Sequence, residues 1–449
     1  MTMSLAQVLR DLPGDAPEAV VEHNFSKVFL NALGFENLEI LPQFPVGKRF
    51  VDQAARKNPG EEDIFLSTRK NPYLYMEVKG RCENLSDEKH PNYRKAAFQL
   101  KQYLLHPDSK TVKWGILTNA NHVQLFRKHG KVIHPITPCL SLKEDFEHTV
   151  SEIKRRIEAP SRALMVAVYN NKGGVGKTTT TLNIAATLAL YRKRVLIVDF
   201  DPNQSDLGDA LNLKPLNGKV FEALSNKECD VRSIISTYKF EHPRVKEPPE
   251  FDVILADEQL VSEKEEKDLR QQIKFYALRR LLESVQNDYD YILIDAPPNW
   301  RIFAQKALYA ADVVLIPARH DNLHSLQNAG TAITQFIPET QVERRKFGDA
   351  GPIALPIFLN NAFRVTPAQV ELMHQAIDGI IKDAKKNCSG FDLKPYFYPK
   401  DTQAHSNRKM IGIPYMAFIS RADFMHMPAA FAFKQAREQY QNLVKEYFL

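Results

Sequence analysis

The chain has 449 residues, with 60 Lys and Arg against 54 Asp and Glu, a net charge of +6. Hydrophobic content of 44% and charged content of 25% fit a globular protein of two or three domains and exclude a low-complexity chain. No run of 18 apolar residues exists, Met1–Gln7 lacks the pattern of a secretory signal, and Cys82, Cys139, Cys229 and Cys388 are scattered without Cys-x-x-Cys; a cytoplasmic location with reduced thiols and no membrane partner is expected.

In chain order, Ala16–Leu33 reads as a first helix carrying Glu18 and Glu22. Glu61–Thr68 and Tyr73–Lys79 read as strands, with Arg69-Lys-Asn-Pro72 as the turn. If Thr68 pairs with Tyr73, Asp63 falls opposite Val78 and beside Glu77. Glu77 and Lys79 share a face because side chains alternate along a strand. Two carboxylates and a lysine then meet, a pattern suited to a divalent metal and a phosphate-directed reaction. Gln99 and Tyr103 lie one turn apart on a following helix. Lys113–Asn119 and Val123–Phe126 read as a later hairpin. Ser141–Ile157 reads as a helix with Leu142, Phe146, Val150, Ile153 and Ile157 on one stripe, broken by Ala159-Pro160-Ser161. The expected domains are therefore 1–158 and 162–449.

The second domain opens on a buried-type strand, Met165–Tyr169, and a helical run, Thr181–Leu190. Between them stands Lys172-Gly-Gly-Val-Gly-Lys-Thr-Thr179. A glycine loop joining a strand to a helix is the setting of a phosphate-binding P-loop. Gly173, Gly174 and Gly176 let backbone N–H groups turn inward, and the helix N-terminus adds its positive end. Lys177 is placed to reach β/γ-phosphates and Thr178 to hold Mg²⁺. Asp199 and Asp201 lie two apart at the end of the run Arg194–Asp199, where a carboxylate can position a water. Asp295 ends the apolar strand Tyr291–Ile294, where it is costly unless it faces Mg²⁺ or solvent. Further strands are expected at Ala311–Pro317 and Ile353–Asn360.

With its second lysine, Lys172, this loop has the deviant P-loop pattern, and residues 162–449 resemble the ParA/MinD family of dimerising ATPases. The resemblance implies an α/β P-loop NTPase fold, a mostly parallel sheet flanked by helices. It implies ATP and Mg²⁺ as cofactors, with Gly173, Gly174, Val175, Gly176, Lys177, Thr178 and Thr179 around the nucleotide. Thr178, Asp199 and Asp295 are then the metal side, Asp201 activates water, and Asn360 and Pro414 meet the adenine. Lys172 crosses to the partner's nucleotide in a homodimer formed on ATP. DNA binding without sequence preference is implied as well, with Arg344, Arg345, Lys346, Lys382, Lys385 and Lys386 as candidate contacts, and so is a partner protein that stimulates the ATPase.

The spacing Asp63-x13-Glu77-x-Lys79, followed by Gln99-x3-Tyr103, resembles the PD-(D/E)xK nuclease domain found at the N-terminus of type I restriction-enzyme motor subunits. It implies an α/β restriction-endonuclease-like domain that cleaves DNA with Asp63, Glu77 and Glu22 at a metal, Lys79 beside the scissile phosphate, and Gln99 and Tyr103 in support. The expected function is an ATP-switched, DNA-acting enzyme for foreign-DNA defence or mobile-element maintenance. The alternative is a partition or cargo-positioning ATPase with a non-catalytic N-terminal domain.

Overall fold

The computed structural model describes residues 4–449 except 204–205, 217, 227, 242–245, 258–259, 261–270, 361–364, 389, 400–407 and 409. The chain divides into two units: Met1–Pro160 with Arg345–Ala350 and Phe448, and Ser161–Arg344 with Gly351–Tyr447 and Leu449.

The smaller unit is built on seven strands: β1 (Ile40–Val46), β2 (Arg49–Ala55), β3 (Leu74–Val78), β4 (Trp114–Thr118), β5 (His122–His129), β6 (Val132–Pro135) and β7 (Leu140–Ser141). They run in the order β1-β2-β3-β4-β5-β6, with β7 also on β5. Only β3 and β4 pair in parallel, and a parallel pair needs a crossover. The helix Pro91–Leu105 supplies it. Gly115 on β4 lets that helix approach closely, since a Cβ there would lie 2.8 Å from Leu104 Cδ1. One face of the sheet packs Met76, Val78 and Ile116 on Phe25 and Phe29; the other packs Tyr75 and Leu117 on Leu100, Tyr103 and Leu104. The expected first helix is present as Glu18–Val21, a π turn Glu22–Ser26, and Lys27–Ala32. Within this unit Arg156 pairs with Asp349 at 2.9 Å and Arg345 with Glu88 at 2.7 Å.

Two expectations here fail. Glu61–Thr68 is not a strand: Phe65–Thr68 is one helical turn with buried Phe65, closed by Arg69 at φ +54°. Of Ile64-Phe-Leu only Phe65 is buried, Leu66 is exposed, and the antiparallel partner of β3 is β2. The helix expected from Ser141 begins at Phe146, because the Asp145 side chain accepts from His148 N at 3.1 Å and caps it there.

The larger unit has β8 (Leu164–Val168), β9 (Val195–Asp199), β10 (Ser236–Lys239), β11 (Glu250–Ile254), β12 (Tyr291–Asp295), β13 (Val313–Leu315), β14 (Pro317–Ala318), β15 (Ile353–Ala354), β16 (Phe358–Asn360) and β17 (Gly412–Ile413). Its main sheet runs β10-β11-β9-β12-β8-β13-β15, parallel apart from the antiparallel edge strand β10. Strands covered on both faces carry no polar side, which is why β8, β9 and β12 read as continuous apolar runs. A second sheet, β14-β16-β17, is parallel throughout. The strand expected over Ile353–Asn360 is therefore two strands in two sheets. Pro356, which has no N–H for a ladder, lies at the break. Arg344 is also displaced from its expected role: it is buried, and its guanidinium donates to the carbonyls of Tyr309 and Ala311, so it offers no charge to DNA. Lys382, Lys385 and Lys386 are exposed on the helix Pro367–Asn387.

Gly351 holds φ +85°, and a Cβ there would sit 2.9 Å from Gln341 Cα. Gly351→Ala combines a left-handed backbone with an immovable neighbour and is expected to cost about 2 kcal/mol or more. Chemical denaturation followed by circular dichroism reads this as a lower midpoint; an unchanged midpoint contradicts it.

Candidate phosphate loop and a carboxylate–lysine cluster

In the larger unit β8 delivers the chain to the glycine loop, and the helix Lys177–Leu190 receives it. Gly174 and Gly176 hold φ +71° and +81°, conformations that turn peptide N–H groups to the inside of the loop. The helix N-cap is Gly176, so the first turn starts with no side-chain cap and its N–H groups remain available to an anion. Lys177 is buried and donates to the carbonyl of Lys172 at 3.4 Å. Burial pulls its ammonium below the ordinary lysine range, against the pull of Asp295 and Asp201. Lys172 is half-exposed at the start of the loop.

The acidic side comes from two neighbouring strands. Asp295 of β12 is in register with Asp199 of β9. Thr178 Oγ1 donates to Asp295 Oδ2 at 2.6 Å, while Asp295 Oδ1 is buried without a hydrogen-bond partner among the described residues. Burial pushes the Asp295 carboxyl up to about 7. Asp199 is raised by burial and then by Asp295; Asp201 is raised by burial, with Lys177 opposing. A hydroxyl and an orphaned carboxylate oxygen suit a hard cation, while among the described residues no group of three His, Cys, Asp or Glu side chains is gathered here as a metal site. Asn360, at the end of β16, turns its amide to Val175 O at 2.9 Å and Thr180 Oγ1 at 3.0 Å, so its donor group is spent on the loop. Its register partner on β17 is Ile413, which brings Pro414 to the same edge. Val175 is buried, and Thr179 is half-exposed on the first turn of the helix.

In the smaller unit Glu77, Lys79 and Glu18 are brought together, Glu22 is bonded to Gln43 and acts on Asp52, and Asp63 lies elsewhere. Lys79 Nζ donates to Glu77 Oε1 at 2.8 Å and to Glu18 Oε2 at 3.1 Å. Asp63 instead accepts both terminal nitrogens of Arg56, at 2.8 and 3.0 Å, which holds its carboxyl below the usual range. The acid beside Glu77 is Asp52. The β2–β3 ladder ends at Gln53–Met76, and there the Asp52 carboxylate takes over, accepting from Val78 N at 2.7 Å. The β1–β2 ladder has a gap at the same place: Gln43, opposite Asp52, has φ +47°, and its Nε2 donates to Glu22 Oε1 at 2.7 Å. Gln99 Nε2 donates to Tyr103 Oη at 3.3 Å, and that hydroxyl is raised by burial and feels Glu77, Asp52 and Arg49.

Burial pushes Glu77 up to about 7 and Asp52 up to about 6, each reinforced by nearby acids. Burial acts against the Lys79 charge, but Glu77 and Glu18 outweigh it and hold the ammonium above its ordinary value. Glu77 Oε2 is buried with no partner among the described residues. Among these residues, however, no group of three His, Cys, Asp or Glu side chains is gathered as a metal site. Asp52 and Gln43 were missed in sequence. Phe50-Val51 before Asp52 was the available strand signal; nothing marks a glutamine for a left-handed backbone.

Raised carboxyls make stability fall with pH. Asp295, Asp52 and Glu77 keep their protons in the folded chain at pH values where the unfolded chain, at 3.8 or 4.5, has lost them. Between about pH 4 and 7 the folded state is thus favoured by acid, and the slope levels off above about 7. The thermal midpoint of the metal-free chain is expected to drop from pH 5 to pH 7. Asp295→Asn and Glu77→Gln each flatten that drop; a midpoint that climbs over this interval, or variants as steep as the parent, contradict it.

Residues 163–346 match the family model of the AAA domain. The chromosome partitioning protein ParA of Myxococcus xanthus is 38% identical over 155 residues, which are 34% of this chain and 51% of that protein. The sporulation initiation inhibitor protein Soj of Bacillus subtilis is 37% identical over 159 residues, 34% and 58% of the two chains. The chain thus spans about half the length of the curated relatives it matches. Among solved structures, pNOB8 ParA bound to nonspecific DNA aligns with a TM-score of 0.41 at 21% identity, covering 62% of this chain and 99% of that one. Residues 163–346 are thus similar to an AAA domain and to the partitioning proteins ParA and Soj, with a glycine loop set between β8 and its helix.

Proposed function

We propose that the larger unit is an ATP-dependent switch that closes as a homodimer on ATP–Mg²⁺ and binds DNA, and that the N-terminal unit is a metal-dependent nuclease-like domain governed by it. The observation that carries the switch is the Thr178–Asp295 hydrogen bond beneath the glycine loop, with the second Asp295 oxygen buried and unpartnered. Thr178, Asp295 and Asp199 are the residues to hold Mg²⁺, which neutralises phosphate charge when bound. The loop N–H groups and Lys177 bind the phosphates, Asp201 orients the attacking water, and Lys172 reaches the partner's nucleotide. In the N-terminal unit Asp52 and Glu77 replace the Asp63–Glu77 pair as the candidate metal carboxylates, with Glu22 beside them. Lys79 is the cation for the scissile phosphate, and Gln99 and Tyr103 line the approach. Arg345, Lys346, Lys382, Lys385 and Lys386 remain candidate DNA contacts.

A second reading is a partition or positioning ATPase with a non-catalytic N-terminal unit. It is favoured by the chromosome-partitioning relatives and by the lack of a three-ligand metal group among the described residues.

Lys177→Ala is expected to lower ATP turnover by on the order of 10²-fold, through lost phosphate neutralisation. In light scattering, Asp201→Ala should trap an ATP-dependent dimer, and adding Lys172→Ala should abolish it. Turnover that survives Lys177→Ala, or equal dimer fractions with and without Lys172, removes the assignment.

Supercoiled plasmid with Mg²⁺ or Mn²⁺, with and without ATP, separates the two readings. The nuclease reading expects nicking that Asp52→Ala and Glu77→Ala abolish and Asp63→Ala retains. Wild type that never cuts under any of these conditions leaves the positioning reading.

A further inference from the structure

We infer that the tip of the β1–β2 hairpin, Lys48-Arg49-Phe50, engages unpaired nucleotides and leads a strand to the Asp52–Glu77–Lys79 cluster. The contact takes its purpose from the nuclease reading, but its binding is measurable without cleavage. Phe50 is 56% exposed, and Lys48 and Arg49 beside it are exposed as well. An aromatic side chain so placed gains little from folding, and two adjacent cations make it a poor seat for an apolar partner. Cations flanking an aromatic face suit a single strand: charges take the phosphates and the ring takes an unstacked base. A duplex keeps its bases stacked and offers the ring no face.

The tip is also fixed and close to the cluster. Arg49 Nη1 donates to Gln102 Oε1 at 2.9 Å, one residue before Tyr103 on the crossover helix. The Tyr103 hydroxyl lies within electrostatic reach of Arg49 and of Glu77 and Asp52. Gly47, at φ +61°, packs so near His106 that a Cβ would lie 2.6 Å from its Nε2. Phe50 stands two residues before Asp52, about 7 Å along the strand. The hairpin therefore carries its cation on the crossover-helix side, next to Gln102, and its aromatic ring at the following position of the same strand, two residues from Asp52.

The test uses the full chain with EDTA and no nucleotide, so that neither cleavage nor the ATP switch contributes. Fluorescence anisotropy follows a labelled thymidine oligonucleotide of about 20 nucleotides and a duplex of equal length. Phe50→Ala is expected to weaken single-strand binding about tenfold, and Phe50→Trp to restore it. Lys48→Ala and Arg49→Ala should each reduce the slope of log affinity against log salt by about 0.7. Ultraviolet crosslinking of the wild type should place thymidine on the peptide containing Phe50, independently of how any variant folds. Equal affinity of Phe50→Ala and wild type, an equal loss on duplex, or crosslinks confined to other peptides overturn the inference. If binding fails in this way while plasmid nicking depends on Glu77, the nuclease reading stands alone. If binding behaves as expected and nicking never occurs, the hairpin contact stands and the nuclease reading falls.

Discussion

The larger unit is organised around a carboxylate that has been taken out of water. Asp295 sits at the end of the central strand β12, in register with Asp199 on β9, with the glycine loop at the end of β8 on its other side. One oxygen is bonded to Thr178 and the other is buried with no partner among the described residues. A bare carboxylate in that position is expensive, and two more acids close by raise the cost. Protonation relieves part of it, which is why the group is pushed up to about 7. A cation relieves more, because it also offsets Asp199 and Asp201. The sheet order follows from this need: only the adjacency of β8, β9 and β12 brings loop, hydroxyl and acids to one edge.

The smaller unit meets a related problem in a different way. Glu77 and Asp52 are both buried near one another, and Lys79 compensates only one Glu77 oxygen directly. The compensation for Asp52 is a backbone N–H, that of Val78, which is free to donate because the β2–β3 ladder stops one pair earlier. Gln43 shows the cost of that opening. A non-glycine residue at φ +47° inside a strand is strained, and here the strain coincides with a gap in pairing and with a side chain sent to Glu22.

Much of this was legible in sequence where burial is uniform and not where it is mixed. β3, β8, β9 and β12 announce themselves as short apolar runs. The P-loop is legible because strand, glycines and helix occur in one order. Glu77, Gln99 and Tyr103 lie on the strand and helix expected for them, and Lys79 stands just past the end of β3. Asp63 lies elsewhere, since Ile64-Phe-Leu imitates a strand while forming a single helical turn that buries only Phe65. The true partner strand, β2, mixes Arg49, Asp52 and Gln53 with apolar residues, because its exposed tip and its buried acid obey different rules. The split at Pro356 was readable, as a proline inside a strand run is a warning. Arg344 differs for another reason: composition gives charge, and only the fold shows that the side chain is buried with Nη1 donating to the Tyr309 and Ala311 carbonyls.

The two units thus share a physical device, a carboxylate at a strand end with one oxygen satisfied by the protein and one left over. In the larger unit the carboxylate is tied through its other oxygen to Thr178 at the end of the glycine loop, where a bound metal and nucleotide would relieve the same strain together. In the smaller unit the leftover Glu77 oxygen has no such loop, and the nearby positive charge comes from Lys79 and, farther out, Arg49. In the proposed nuclease reading, an anion beside those two cations and a metal beside the acids would neutralise each other as well as the protein. Binding of either one alone leaves charge uncompensated. The carboxylate–lysine cluster therefore leaves one buried carboxylate oxygen uncompensated, and that leftover is what supports the proposed joint occupation by a cation and a phosphodiester.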